Sequence, residues 1–152
     1  MQQLNLPEAR LQLRRDPDGN VRVYDPLRRA WLVVTPEEWV RQHFVNYLIS
    51  SRGYPASRIA NEVTIRLNNT VKRCDTVVYD PSLKPVAIVE YKAPEVAVTP
   101  RVFEQIARYN IVLNVGILIV SNGMHHYACR VSPDGTFTFL RDIPRWEEII
   151  TP

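Results

Sequence analysis

Hydrophobic and polar positions in the first third of the chain follow the pattern of short strands and then take the period of a helix. Two β-prone runs, Val21–Tyr24 and Ala30–Val34, flank an Asp-Pro turn and predict a β-hairpin. Thr35 can cap the helix that follows, and a proline and two acids in the first turn favour the same start. Apolar positions then recur at helical spacing until Gly53, which predicts a helix of about fifteen residues.

The rest of the chain predicts a sheet crossed by a second helix. The runs Ile59–Leu67, Val71–Tyr79 and Pro85–Tyr91 are strand-like, and the pair Asn68-Asn69 favours a tight turn between the first two. Thr99 opens a second helix between two apolar strands, so we expect a right-handed crossover that joins parallel neighbours. The remaining predicted elements are strands at Gly116–Val120 and His126–Val131, an edge strand at Phe137–Leu140 and a closing helix at Pro144–Ile150.

Length and composition predict one domain. The 152 residues are 45% hydrophobic and 23% charged, as in soluble globular proteins, which excludes a disordered or fibrous chain. We expect an N-terminal extension over 1–20, the hairpin over 21–34, the core over 35–131, and a C-terminal edge strand and helix over 132–152. No signal sequence or long apolar run is present, so we expect a cytoplasmic protein with no membrane partner.

Positive charge is concentrated in the first half of the chain. Residues 1–73 carry twelve Lys and Arg against seven Asp and Glu, whereas residues 74–152 carry seven against nine. Sixteen of the nineteen cations are arginine, whose planar guanidinium suits phosphate. This charge permits a polyanionic partner without establishing one, because an arginine bias on a solvated surface gives the same pattern.

The chemically informative stretch is the end of the strand predicted at Pro85–Tyr91. Its apolar residues Val86–Val89 indicate a strand that is buried on both faces. Glu90 and Lys92 follow and, with the two-residue period of a strand, project on the same side. If the preceding strand pairs antiparallel, Asp75 at its start lies near Glu90. Two carboxylates and an amine then converge at one edge of the sheet.

Such a pair of acids suits a hard divalent cation. Neighbouring carboxylates repel each other and favour protonation unless a cation lies between them. Mg²⁺ prefers one or two carboxylates and keeps several waters, and it can stabilise charge on a phosphodiester and activate a bound water. The simpler interpretation is an ion pair of Glu90 with Lys92 at a strand end, with Asp75 solvated.

The spacing of Asp75, Glu90 and Lys92 resembles the PD-(D/E)xK nuclease superfamily, with Cys74 in place of the proline. More narrowly, the chain is similar to the N-terminal nuclease domain of type I restriction enzyme R subunits over about residues 22–131. This resemblance implies an α/β, restriction-endonuclease-like three-layer core, with a central mixed β-sheet flanked by helices and preceded by a short β-hairpin. The segments that carry it are TPEEWVRQ (35–42), RCD (73–75), VEYKAP (89–94), FEQIARYN (103–110), LIVSNG (118–123) and HY (126–127).

The resemblance also assigns roles to single residues. Asp75 and Glu90, with the carbonyl of Tyr91, would be metal ligands. Mg²⁺ would be the cofactor, with Mn²⁺ as a substitute. Lys92 would be the catalytic lysine, and Gln105 on the second helix would position Lys92 or the attacking water.

A glutamate of the first helix would complete that site. At about 100° per residue, Glu37 lies on the same stripe as Val40 and Phe44, whereas Glu38 is turned toward Gln42 and solvent. We therefore expect Glu37 to be the catalytic helix carboxylate.

These patterns favour an enzyme, a Mg²⁺-dependent endonuclease that hydrolyses DNA. The alternative is a catalytically silent nucleic-acid-binding or assembly module of the same fold, and a structural protein whose ion pairs mimic the pattern is a third interpretation. DNA is the expected partner, with a homodimer and other restriction or repair subunits as further partners. No Gly-Lys-Ser/Thr phosphate loop is present, so we expect no ATP-driven motor activity from this chain.

Overall fold

Two β-sheets organise the computed structural model, which describes residues 1–67 and 69–151, with the backbone alone at Leu67. The turn predicted at Asn68-Asn69 includes Asn68, which lies outside the described residues. The strands are β1 (Leu13–Arg15), β2 (Val21–Asp25), β3 (Ala30–Val33), β4 (Ile59–Leu67), β5 (Thr70–Tyr79), β6 (Pro85–Tyr91), β7 (Ile117–Ser121), β8 (His126–Val131) and β9 (Phe137–Phe139); the helices are α1 (Pro36–Arg52), α2 (Pro100–Asn110) and α3 (Trp146–Ile150).

The smaller sheet contains the predicted hairpin and one further strand. β2 and β3 pair antiparallel, with Val23 opposite Leu32, which confirms the hairpin. β1 comes from the predicted N-terminal extension and pairs antiparallel with β2. One side of this sheet is covered, since Val23 and Asp25 are each 1% exposed.

The larger sheet has the strand order β4-β5-β6-β7-β8-β9. β6 and β7 pair parallel and α2 lies between them in the chain, whereas the other neighbours pair antiparallel. This confirms the predicted mixed sheet and its parallel central pair. Both central strands are buried on both faces because their residues are almost all apolar and point alternately to the two sides.

Helices cover both faces of the larger sheet. Phe44 of α1 packs in one core cluster with Val89 and Ile119, and Phe103 of α2 packs in a second cluster with Ile88. This is the predicted three-layer α/β core. Among the described residues, no helix is long and apolar enough to cross a lipid bilayer.

Local signals set the helix ends. The Oγ1 atom of Thr35 accepts the Glu38 N–H at 3.1 Å, and that of Thr99 accepts the Val102 N–H at 3.2 Å. Gly53 ends α1 with φ 77°, a left-handed conformation that glycine adopts without steric cost. The predicted cap at Thr35, the predicted start of α2 at Thr99 and the predicted end of α1 at Gly53 are therefore confirmed.

Candidate active site

Asp75 and Glu90 lie side by side on neighbouring strands. The antiparallel register of β5 and β6 pairs Thr76 with Val89, and its next step places Asp75 beside Glu90. The Oδ2 atom of Asp75 accepts the N–H of Tyr91 at 2.9 Å, which fixes the carboxylate at the end of β6. The structure thus brings the two predicted acids together through strand pairing.

Burial and mutual repulsion act on both acids. Burial raises the pKa of Asp75, and Glu62 adds to this, against the N–H of Tyr91 and the charge of Arg41, which lower it. Burial also raises the pKa of Glu90, and the charge of Asp75 raises it further. Two half-buried acids in this state favour the arrival of a cation, because a positive charge between them relieves both effects.

Lys92 supplies part of that positive charge. It follows β6, is half-buried, and its backbone N–H donates to the Ser121 carbonyl at 2.9 Å. Its ammonium lowers the pKa of both Asp75 and Glu90. All three residues of the predicted Asp, Glu-x-Lys pattern are therefore close enough to interact electrostatically.

Cys74 is fully buried beside the acids. Burial, with the charges of Glu90 and Asp75, raises the pKa of the Cys74 thiol to about 11, so the thiol stays protonated at neutral pH. Cys74 therefore packs beside the site as a small, protonated side chain.

Arg41 connects α1 to the backbone of Asp75. Its Nη1 atom donates to the Asp75 carbonyl at 2.7 Å, and its Nη2 atom donates to Oε1 of Glu62 at 2.7 Å. Burial would lower the pKa of Arg41, but Glu38 and Glu62 outweigh it and raise the pKa, so the guanidinium stays charged. Neither Arg41 nor Glu62 was found from the sequence, because no local pattern marks them.

The predicted orientation of the α1 acids was wrong. Glu37 is exposed, whereas Glu38 is 5% exposed and accepts hydrogen bonds from Arg28, Arg41 and Gln42. The reason lies outside the helix, since the loop between β2 and β3 brings Arg28 over this side of α1. A helical wheel places Glu38 toward solvent because it cannot include that loop.

Gln105, which the resemblance makes a positioning residue, lies off the buried stripe of α2. Gln105 is exposed, because the buried stripe of α2 is formed by Phe103, Ile106, Ala107 and Asn110. Asn110 is the polar residue of this stripe, and its amide lowers the pKa of Glu90. The spacing i, i+3, i+4, i+7 from Phe103 to Asn110 is a signal in the sequence that identifies it.

The donor set at the site fits a hard divalent cation with few protein ligands. Within residues 1–67 and 69–151, no group of three or more His, Cys, Asp or Glu could hold a metal ion. Two carboxylates, Asp75 and Glu90, do converge, and Mg²⁺ is commonly held by one or two carboxylates and retains several waters. The side chains present therefore fit Mg²⁺ better than a cation that needs a full protein cage.

The sequence shows the family of this chain. Residues 36–144 match the family described as type I restriction enzyme R protein N terminus, and since this is well over half of the sequence, the chain belongs to that family. No curated protein matches it.

The fold is similar to that of a fragment described as an HsdR subunit of a type I restriction enzyme from Vibrio vulnificus YJ016. The two share 18% sequence identity, with a TM-score of 0.55 over 76% of this chain. The match covers 24% of the other chain, so this chain spans about a quarter of that fragment's length.

Proposed function

We propose that this chain is a Mg²⁺-dependent deoxyribonuclease of the PD-(D/E)xK type that hydrolyses DNA phosphodiester bonds. The observation that carries the proposal is the convergence of Asp75, in the middle of β5, with Glu90 and Lys92 at the C-terminal end of β6. Membership of the restriction enzyme R protein family supports it.

Each residue has a distinct role in this proposal. The carboxylates of Asp75 and Glu90 and the carbonyl of Tyr91 hold Mg²⁺, which Mn²⁺ can replace. When bound, the ion stabilises negative charge on the phosphate and lowers the pKa of a coordinated water. Lys92 holds its ammonium next to both acids, where it orients the attacking water and offsets charge on the phosphate oxygens.

DNA is the proposed substrate, and other restriction subunits are the proposed partners. Both follow from the family, whose name refers to a restriction enzyme subunit. A homodimer is proposed only for double-strand cutting, which needs one active site for each strand.

The proposal is tested by plasmid cleavage in Mg²⁺, in Mn²⁺ and in EDTA. Asp75→Asn, Glu90→Gln and Lys92→Met should each lower the cleavage rate by about 100-fold or more. Asp134→Asn and Lys84→Met are matched controls at exposed positions and should cleave like the original chain. Full activity in the three site variants, with all variants folded, contradicts the proposal.

A binding module without cleavage remains the second candidate. It is favoured by the positive charge of the first half of the chain, where residues 1–73 carry twelve Lys and Arg against seven Asp and Glu. It predicts salt-dependent DNA binding with no cleavage in Mg²⁺ or Mn²⁺ and no change of that binding in Asp75→Asn. Fluorescence anisotropy on the same variants separates the two functions.

A further inference from the structure

Glu38 is the buried acid of α1, yet its two oxygens are already occupied. The Nη2 atom of Arg28 lies 2.8 Å from both oxygens. Arg41 donates through Nε to Oε2 and through Nη2 to Oε1, each at 3.2 Å, and Gln42 donates to Oε2 at 3.0 Å. An ionised carboxylate offers about four lone-pair positions, so these five contacts leave none for a metal ion.

Glu62 holds the other side of the Arg41 guanidinium. Its Oε1 atom accepts from Arg41 at 2.7 Å, and its Oε2 atom accepts from Arg73 at 2.9 Å. The backbone of Glu62 has φ 57°, a left-handed conformation that is costly for a glutamate within a strand.

That conformation interrupts the ladder of β4 and β5 beside Asp75. The ladder pairs Asn61 with Thr76 and Val63 with Cys74, but it does not pair Glu62 with Asp75. The Asp75 carbonyl instead accepts from Nη1 of Arg41 at 2.7 Å. A side chain of α1 therefore binds the backbone of Asp75 at the point where β4 does not pair with it.

We propose that Arg41 is a positioning residue that sets the place of Asp75, and that Glu38 and Glu62 act through Arg41 and do not bind the metal. The catalytic consequence of this proposal rests on the proposed function, whereas the positioning of Asp75 by Arg41 does not. Arg41 holds the Asp75 backbone, and the Asp75 carboxylate in turn accepts the N–H of Tyr91.

Amide hydrogen exchange tests the structural part without any cleavage assay. In Arg41→Met, exchange at the Tyr91 amide should accelerate about tenfold more than at Ile119, which reports on opening of the sheet centre. Arg41→Lys keeps the charge but loses the planar fork, so its effect should be intermediate. It also replaces Arg41→Met in the comparison if that variant does not fold.

Arg52→Met is the matched control. Arg52 also lies on α1 and donates to a backbone carbonyl, that of Ile143, at a different place in the fold. It should change exchange at Tyr91 and at Ile119 by the same factor. Equal changes at these two amides in the Arg41 variants would overturn the proposal.

A Mg²⁺ titration of thermal stability tests the role of Glu38. Glu38→Gln keeps one oxygen that can accept from Arg41 and should shift the half-saturating Mg²⁺ concentration by at most about threefold, whereas Asp75→Asn should raise it by about tenfold or more. An equal rise of the half-saturating Mg²⁺ concentration in both variants would indicate that Glu38 is a metal ligand and would overturn this part of the proposal. If Mg²⁺ does not stabilise the original chain, the proposed function fails, and the exchange experiment still decides the role of Arg41.

Discussion

The helices α1 and α2 cover opposite faces of one sheet and bury different chemistry. Apart from Asn110, the buried residues of α2 are apolar, whereas α1 buries Glu38, Arg41, Gln42 and His43 beside its apolar residues. Each helix contributes an apolar stripe to the core, but only α1 adds a charged network that reaches the backbone of Asp75. The side of the sheet that α1 covers therefore combines packing with the positioning of the candidate site.

The largest expected effects come from the feature that the two helices share. Phe44 is 0% exposed and Phe103 is 1% exposed, so Phe44→Ala and Phe103→Ala should each lower the free energy of unfolding by about 3–5 kcal/mol. Urea denaturation measures both values. A cost below about 1 kcal/mol for either variant would show that its helix does not contribute an essential part of the core.

A smaller effect separates the charged networks of the two helices. Arg41→Met removes one counter-charge from Glu38, which keeps Arg28, and one from Glu62, which keeps the exposed Arg73, so it should cost about 2 kcal/mol. Arg108→Met removes a pair with Glu104 on the exposed side of α2, so it should cost less than about 0.5 kcal/mol. Equal costs in urea denaturation would remove the distinction between the two helices.

The dependence of stability on pH should also differ between the two acids of the candidate site and two acids that form ion pairs, Asp25 and Glu62. The raised pKa values of Asp75 and Glu90 mean that the folded chain binds more protons than the unfolded chain just above the ordinary carboxyl range, so these acids reduce stability as the pH rises through that window. The lowered pKa values of Asp25 and Glu62 have the opposite sign, and their contribution is lost as the pH falls.

Asp75→Asn isolates the first of these contributions. In EDTA and at acidic pH, the difference in free energy of unfolding between the variant and the original chain should not change with pH. Toward neutral pH the variant should become more stable relative to the original chain, by less than the cost of Arg41→Met. The measurement is the free energy of unfolding at a series of pH values. A difference that shrinks as the pH rises would contradict the raised pKa.

The smallest effects compare two polar residues of α2. Asn110→Ala removes an amide that lies beside Glu90 and donates to the Ile106 carbonyl at 2.9 Å, so it should cost about 1 kcal/mol. Gln105→Ala changes an exposed side chain and should stay within about 0.5 kcal/mol. Thermal denaturation of both variants, with cleavage as a second readout, would reveal a contribution of Gln105 that its exposure does not predict.

Much of the fold follows from the sequence because the burial of apolar residues follows local periodicity. The β6 run, the caps at Thr35 and Thr99 and the stop at Gly53 are local signals, and the structure confirms each. β1 was missed because Leu13–Arg15 is exposed and has no apolar pattern, so only its pairing with β2 marks it as a strand.

The part of the candidate site that depends on strand pairing was predicted from the sequence. The part that depends on contacts between side chains far apart in the sequence was not. Asp75 and Glu90 meet because antiparallel neighbours bring them together. Whether Glu37 or Glu38 is buried depends on Arg28, which contacts Glu38 from the loop between β2 and β3 of the smaller sheet. The left-handed backbone of Glu62 has no local sequence signal, since glutamate rarely adopts it.

The ion pair between Arg28 and Glu38 affects how far the domain can be shortened from its N-terminal side. The family match begins at residue 36, after both Arg28 and Asp25. A fragment trimmed to 36–144 would leave Glu38 without its closest cation and Asn61 without the Asp25 oxygen that it contacts at 3.0 Å. In a chimeric protein, the junction should therefore lie before residue 21, so that Asp25 and Arg28 are retained together with the core.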